Sequence, residues 1–263
     1  MSTLRVQDKV CIVTAGAQGI GEAIGRGLAK EGAKVVFADI NVELAEKVAG
    51  EVNKQGGKAI AIRVDVGDRE QVRNLVQKTV AEFGQLNVIF NNAGLNKPQP
   101  ILDITEEAWN LILRVNTQGV LHGIQEAGRQ MIAQGSGGKI INTASVAARQ
   151  GYENMASYCA SKFAVVALTQ SAAREFAKYH ITVNAFSPGV VATPLWEKLD
   201  LDLMKLGVSS KPGEAIQNFS SGILLGRPAT PQDIVPTALF LASSDSDYVT
   251  GQVMAIDGGQ VLI

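Results

Sequence analysis

The chain's apolar positions gather into seven short, β-branched runs: "KVCIVTA" (9–15), "AKVVFADI" (33–40), "KAIAIRVDV" (58–66), "LNVIFNNAG" (86–94), "GKIINTAS" (138–145), "ITVNAFSPG" (181–189) and "GQVMAIDGG" (251–259). Each is nearly continuous rather than alternating, which predicts strands buried on both faces of a parallel sheet. Stretches with helical spacing separate them, at about 19–31, 41–55, 68–83, 105–133, 156–178 and 231–242. Such alternation calls for right-handed crossovers. The expected architecture is one α/β domain, a doubly wound seven-stranded parallel sheet with helices on both faces. Residues 190–228 interrupt the rhythm and carry an apolar spacing at Leu195, Leu199, Leu203 and Leu206. Ligands in this architecture bind beyond the carboxyl ends of the strands, so this amphipathic insertion is expected to be a substrate lid.

Composition narrows the functional classes. Of the 263 residues, 46% are hydrophobic and 19% charged, enough apolar surface for a large core. Lys plus Arg (24) nearly balances Asp plus Glu (25), which argues against a nucleic-acid partner. No apolar run approaches the roughly 18 residues that span a bilayer, and "MSTLRVQDKV" lacks a signal-peptide core. A soluble cytoplasmic protein with no membrane partner is expected. The two cysteines, Cys11 and Cys159, read as reduced and packed. With two isolated histidines, His122 and His180, they form no metal-ligand cluster, and His122 reads as a packed helix residue.

The first candidate chemistry lies in "TAGAQGIG", a strand end entering a helix near Gly19. Unpaired N–H groups at a helix start suit a pyrophosphate, and glycines let a phosphate approach. Gly16, Gln18, Gly19, Ile20 and Gly21 are therefore candidate cofactor residues. Asp39 ends the next strand, placed to accept hydrogen bonds from an adenosine ribose diol and to repel a 2′-phosphate, which favours NAD(H) over NADP(H). The alternative reading is a cap for the helix that follows. Asp65, Val66, Asn92, Ala93 and Gly94, at the ends of the next two strands, could line adenine and ribose or simply stabilise strand ends.

The second constellation is "SYCASK". Tyr158 and Lys162 share one face of a helix, and no other tyrosine of the chain has a cation four residues later. An ammonium about 5 Å away is worth about 3 kcal/mol at an effective dielectric near 20, lowering a phenol by roughly two pKa units. Tyr158 is then expected to exchange a proton with an alcohol or ketone. Ser145, ending the fifth strand, can hold the substrate oxygen. Asn116 falls inside the predicted helix 105–133, where Asn is out of place, and a kink there would let it hold a water that relays protons to Lys162.

Thr14-x4-Gly19-Ile20-Gly21, Asp39, Asp65, "NNAG" (91–94), Asn116, Ser145, Tyr158-x-x-x-Lys162 and Pro188-Gly189 together resemble the short-chain dehydrogenase/reductase family, from Lys9 to Gly259. The resemblance implies a Rossmann sheet, NAD(P)H-dependent carbonyl–alcohol interconversion, and an Asn–Ser–Tyr–Lys tetrad carried onto Asn116, Ser145, Tyr158 and Lys162. Lys162 would also bind the nicotinamide ribose. Pro188, Gly189, Val191 and Thr193, within "PGVVAT", would contact the nicotinamide end. Homotetramers are common in the family, and the apolar end "GQVMAIDGGQVLI" fits burial between copies. One departure stands out: Ala15 occupies the family's first glycine position. Ala fits if that residue keeps a negative φ, with Gly16 supplying local freedom.

These features imply an NAD(H)-dependent oxidoreductase of a small secondary alcohol or ketone. "HGIQEAG", "SKFAV", "LTQSAAREFA" and "ATPLWEKLD" are most similar to acetoin/diacetyl reductases and butanediol dehydrogenases, and polyol (sorbitol-type) dehydrogenases share much of this text. A non-catalytic NAD-binding protein is the alternative from another class. Ser145, Arg149, Tyr152 and Trp196 are the candidate substrate residues.

Overall fold

The structure, a computed structural model, describes residues 4–262. Strand β1 (Val10–Thr14) leads through a tight turn into helix α1 (Gly19–Lys30), then β2 (Lys34–Asp39), α2 (Val42–Lys54), β3 (Lys58–Arg63) and α3 (Arg69–Phe83). The chain then crosses to the other side of β1 and lays down β4 (Val88–Asn91), α4 (Glu106–Leu113), α5 (Gly119–Gln134), β5 (Gly138–Thr143), α6 (Ala156–Phe176) and β6 (Ile181–Pro188). Helices α7 (Pro194–Lys205), α8 (Glu214–Ser220) and α9 (Pro231–Ala242) precede β7 (Val253–Ile256). All strands pair in parallel, in the order β3-β2-β1-β4-β5-β6-β7. The direction of winding reverses between β1 and β4, and a crevice opens there beyond the strand ends.

The continuous apolar runs follow from burial on both faces. In β1, Cys11 and Val13 pack into a layer with Ile24, Leu28 and Ile234, whereas Ile12 points into the opposite layer with Leu75, Ile124 and Val165. Burial pushes the Cys11 thiol up to about 12 and also raises that of Cys159, so both are inert packing groups. His122 lies partly buried with Nδ1 2.9 Å from the Val66 carbonyl oxygen. Among the described residues no helix is long and apolar enough to cross a membrane.

Two predicted elements come out differently. The helix expected over 105–133 is broken at the suspected place: Arg114–Gln118 form a single π-turn between α4 and α5, in which the Gly119 N–H reaches back to the Arg114 carbonyl. Such widened turns mark places where a side chain is needed outside the regular ladder. In the 190–228 insertion, α7 matches the leucine spacing only at its centre, since Leu199 and Leu203 are buried while Leu195 and Leu206 are partly exposed. Helix α8 carries too short a pattern to be read from sequence. It is fastened by buried Asp200 of α7, whose carboxylate accepts from the backbone N–H groups of Gly213 (2.6 Å) and Ala215 (3.0 Å). Leu199, Leu203 and Ala215 form a small third core with Ala147, Met155 and Cys159.

Candidate active site

The strand ends are tied together before any ligand is considered. The Thr14 hydroxyl donates to the Phe90 carbonyl and accepts from the N–H groups of Asn92 (2.9 Å) and Ala93 (3.1 Å). Asn92 donates back to the Thr14 carbonyl and accepts from Thr143. Asn91 turns into the core, where an Asn91–Asn142–Thr169 chain of hydrogen bonds links β4, β5 and α6. "NNAG" is thus largely a structural clamp that presents Asn92 and Gly94 to the cleft.

The turn after β1 departs from expectation. Ala15 has φ +49°, in the left-handed region, so the condition under which Ala was to fit is not met. This conformation costs a non-glycine residue roughly 1–2 kcal/mol. Gly16 does not supply left-handed freedom. A Cβ there would stand 2.9 Å from the Val13 carbonyl oxygen and 3.1 Å from the Phe37 ring, so Gly16 serves close packing. A Cβ on Gly21 would run into the Ala15 carbonyl, while Gly19, at φ +59°, borders the cleft opposite Thr193. Gln18, at the N-cap of α1, makes no side-chain cap, so the first-turn N–H groups have no side chain upon them.

Asp39 is held in place by both oxygens, which accept from the N–H groups of Ala17 and Asn41, each at 3.0 Å. It is not the cap of α2. Asn41 is, accepting from the Leu44 N–H. Asp65 pairs with Arg114 at 2.9 Å and accepts from the Gly67 N–H. Val66 is buried against Gly119. Neither Asp65, Val66 nor Ala93 reaches the main cleft, in contrast to Gln18, Gly19, Ile20, Asp39, Asn92, Gly94, Pro188, Gly189, Val191 and Thr193.

At the other end of the same cleft, Ser145, Tyr158 and Lys162 converge. The buried Lys162 ammonium donates to the Thr143 carbonyl at 2.8 Å and stands 5.7 Å from the centre of the Tyr158 ring. Burial lowers its pKa from 10.5 to about 8. The Tyr158 phenol is not lowered as the spacing suggested but raised. Its removal from water outweighs the hydrogen bond from Ser145 that favours the phenolate. At neutral pH this site therefore holds a neutral phenol, an acid ready to protonate a carbonyl oxygen.

Asn116 uses its carboxamide as a clamp. Its Oδ1 accepts from the Leu95 N–H, and its Nδ2 donates to the Leu95 carbonyl and the Ser161 hydroxyl. Oδ1 and the Lys162 Nζ both flank Gly94, each 3.4 Å from where a Cβ would stand. The amide donors are spent, so any water toward Lys162 would have to be met by acceptors here.

Beyond Tyr158 the cleft opens into a cavity of about 70 Å³ lined by Val146, Met155, Leu195, Trp196, Leu199 and Phe219 together with Ser145 and Tyr152. Trp196 meets the Phe219 ring edge-on at 5.5 Å, and Tyr152 lies 6.2 Å from Phe219. Of the four expected substrate residues, Ser145, Tyr152 and Trp196 are here. Arg149 is not: its guanidinium donates to the Val253 carbonyl at the start of β7 instead.

The sequence matches the short-chain dehydrogenase model described as enoyl-(acyl carrier protein) reductase over residues 14–260. The chain belongs to the short-chain dehydrogenase/reductase family. A diacetyl reductase [(S)-acetoin forming] of Staphylococcus epidermidis is 44% identical over 253 residues, 96% of this chain and 98% of the relative. A galactitol 2-dehydrogenase of Agrobacterium fabrum is 40% identical over 256 residues, covering 97% and 98%. The crystal structure of a short-chain type dehydrogenase/reductase from Mycobacterium marinum superposes with a TM-score of 0.90 at 35% identity, covering 99% of this chain and 98% of that one.

This short-chain dehydrogenase/reductase is an oxidoreductase of secondary alcohols and ketones that uses a nicotinamide cofactor. The residues present fit such a group. A glycine with left-handed backbone and an uncapped helix start face the cleft, an acid stands at one end and the Tyr–Lys pair at the other. Sequence reasoning missed three cavity residues. Phe219 rides on the unforeseen α8. Gln260 comes from the far C-terminus and bridges elements, accepting from the Val190 N–H and donating to the Phe219 carbonyl. Asn96 could have been found: it is the first polar residue after "NNAG", at a strand's carboxyl end.

Proposed function

We propose that this enzyme interconverts a small secondary alcohol and ketone with NAD(H) in preference to NADP(H), acetoin, diacetyl or 2,3-butanediol being the favoured substrates. The observation carrying this reading is that one cleft joins an anchored carboxylate, Asp39, to a neutral phenol, Tyr158, that opens onto a small apolar cavity. The first turn of α1 would hold the pyrophosphate, Asp39 the adenosine ribose, Tyr158 and Lys162 the nicotinamide ribose, and Pro188 to Thr193 the nicotinamide. A bound nicotinamide supplies or accepts the hydride.

The chain's own residues do the rest. Ser145 orients the carbonyl oxygen, and Tyr158 gives that oxygen its proton in reduction or takes one from the alcohol in oxidation. Lys162, fixed by Thr143 and poised near 8, restores the Tyr158 proton. Asn116 fixes Leu95 and thereby the wall beside Lys162. Helices α7 and α8 act as the lid, with Trp196 and Phe219 excluding water. A cavity of about 70 Å³ supports a substrate of a few carbons rather than a long acyl chain. The similarity to the galactitol dehydrogenase favours a second reading, a polyol–ketose couple. Exposed Leu224, Leu225 and Leu262 offer apolar surface for association between copies, as the homotetramer expected from the family would need.

A panel of diacetyl, acetoin, butanediol stereoisomers, sorbitol and ketoses, each with NADH or NADPH and their oxidised forms, tests the reading by cofactor absorbance. Best turnover on acetoin or diacetyl with NADH is expected. Equal or better use of NADPH would defeat the role given to Asp39.

A further inference from the structure

Among the residues lining the substrate cavity, those with polar side-chain atoms outside the Ser145–Tyr158 pair are Tyr152, Trp196, Gln260 and Asn96. Gln260 engages both ends of its amide with Val190 and Phe219. The Tyr152 hydroxyl accepts from Gln150 Nε2 at 2.9 Å, so it and the Trp196 indole N–H offer donors to the cavity and no free acceptor of comparable strength. Asn96 is different: it is 8% exposed, and its Oδ1 is buried without a hydrogen-bond partner. A buried amide end without a partner is unfavourable, and in a binding cavity it is what a ligand's polar group satisfies.

Its position is also fixed. Leu95, immediately before it, is gripped at both its N–H and its carbonyl by Asn116. Gln99, three residues on, donates its N–H to the Asn154 carbonyl at 2.8 Å. The segment cannot easily relax to find Asn96 a protein partner. The rest of the wall is Val146, Ala147, Met155, Leu195, Leu199 and aromatic side chains, so a second substrate hydroxyl entering the cavity would meet few other side-chain acceptors.

We propose that Asn96 is a specificity residue whose Oδ1 accepts a hydrogen bond from a hydroxyl on the carbon next to the reacting one, so that the enzyme selects α-hydroxyketones and vicinal diols over plain ketones and alcohols. The assignment rests on the ketone–alcohol reading above and sharpens its substrate class. Both acetoin-type and polyol substrates carry such a hydroxyl. A site built to bond a substrate oxygen discriminates against the analogue lacking it, because its own polar group is then left unpaired.

The test compares acetoin with 2-butanone, which lacks only the second oxygen, in the parent, Asn96→Leu and Asn96→Ala. The ratio of kcat/KM for acetoin over 2-butanone is expected to fall ten- to hundredfold in both variants. Asn96→Leu is also expected to raise the melting temperature of the cofactor-free protein by about 2–4 °C, since an isosteric apolar group replaces an unmatched amide. A ratio within threefold of the parent's in both variants overturns the assignment. Failure of the parent to turn over any ketone or alcohol overturns the function itself, and the assignment with it. A parent that prefers ketoses to acetoin defeats only the preference for four-carbon substrates, and the acetoin to 2-butanone ratio still decides for or against Asn96.

Discussion

Replacing Lys162 by Met should abolish turnover and yet stabilise the cofactor-free protein at neutral pH. Burial holds the Lys162 pKa near 8 rather than 10.5. At 1.36 kcal/mol per tenfold change, keeping the ammonium protonated inside the fold costs about 3 kcal/mol. Met fills a similar volume without a charge. It leaves the Thr143 carbonyl without its donor, a loss of about 1 kcal/mol, so the net gain at pH 7 is about 2 kcal/mol. For a chain of this size that corresponds to roughly 4–8 °C in Tm.

The pH dependence separates this cause from better packing. Between pH 8 and 10.5 the unfolded chain carries a proton on Lys162 that the native protein lacks, so the parent gains stability as pH rises through that window. Below pH 8 the penalty is complete, and above 10.5 it is gone. The stability difference, variant minus parent, should start near +2 kcal/mol at pH 7, shrink through pH 9 and turn slightly negative above pH 10.5, where only the lost hydrogen bond remains. Urea unfolding of both proteins from pH 7 to 10.5, followed by far-UV circular dichroism, measures it. A variant less stable than the parent at pH 7, or a difference independent of pH, would refute the reasoning.

Other outcomes follow from the same geometry. Tyr158→Phe should lower kcat/KM by at least about a thousandfold while NADH still binds in a fluorescence titration, because only the proton donor is removed. Ala15→Gly relieves a left-handed Ala at the expense of a looser unfolded chain, so thermal melts should show a gain of up to about 1 kcal/mol, with NADH affinity within about threefold of the parent's. Asp39→Ser should raise the NADPH to NADH ratio of kcat/KM at least tenfold. The carboxylate's repulsion of a phosphate about 5 Å away is worth about 1–3 kcal/mol, and exposed Arg63 is the register partner of Asp39 on β3. Asp200→Ala should raise KM for the ketone more than it lowers kcat, since α8 loses both N–H acceptors that tie it to α7.

The sheet was legible because burial on both faces leaves a plain signature, as in "VCIVT" and "KVVFAD", where neither face of the strand needs a polar residue. The Tyr158–Lys162 pair and Ser145 were legible because helical spacing and a strand end fix them locally. What escaped depends on distant chain segments. Helix α8 owes its start to Asp200, thirteen residues before Gly213, and Gln260 reaches the cavity from 41 residues beyond Phe219. The expected direction of the Tyr158 shift failed for the same reason. Spacing gives the distance to Lys162 but not the burial of both groups, which outweighs it.

The local departures from low-energy choices also share a place. Among the described residues four non-glycine residues take positive φ, and three are Asp8, Asn154 and His180, types that tolerate it. The fourth, Ala15, lines the main cleft. The cleft and its cavity also hold a buried cation, a phenol displaced from its usual range and an unmatched amide, with a π-turn supporting the wall beside them. Each is unfavourable alone, and only the surrounding packed sheet holds them in position. A fold selected for stability alone would have removed them: Gly at 15, Met at 162 and Leu at 96 are each expected to be more stable. Their joint placement around one cleft is what the proposed function requires and a plain groove does not, so the stability gains expected at these three positions test that proposal.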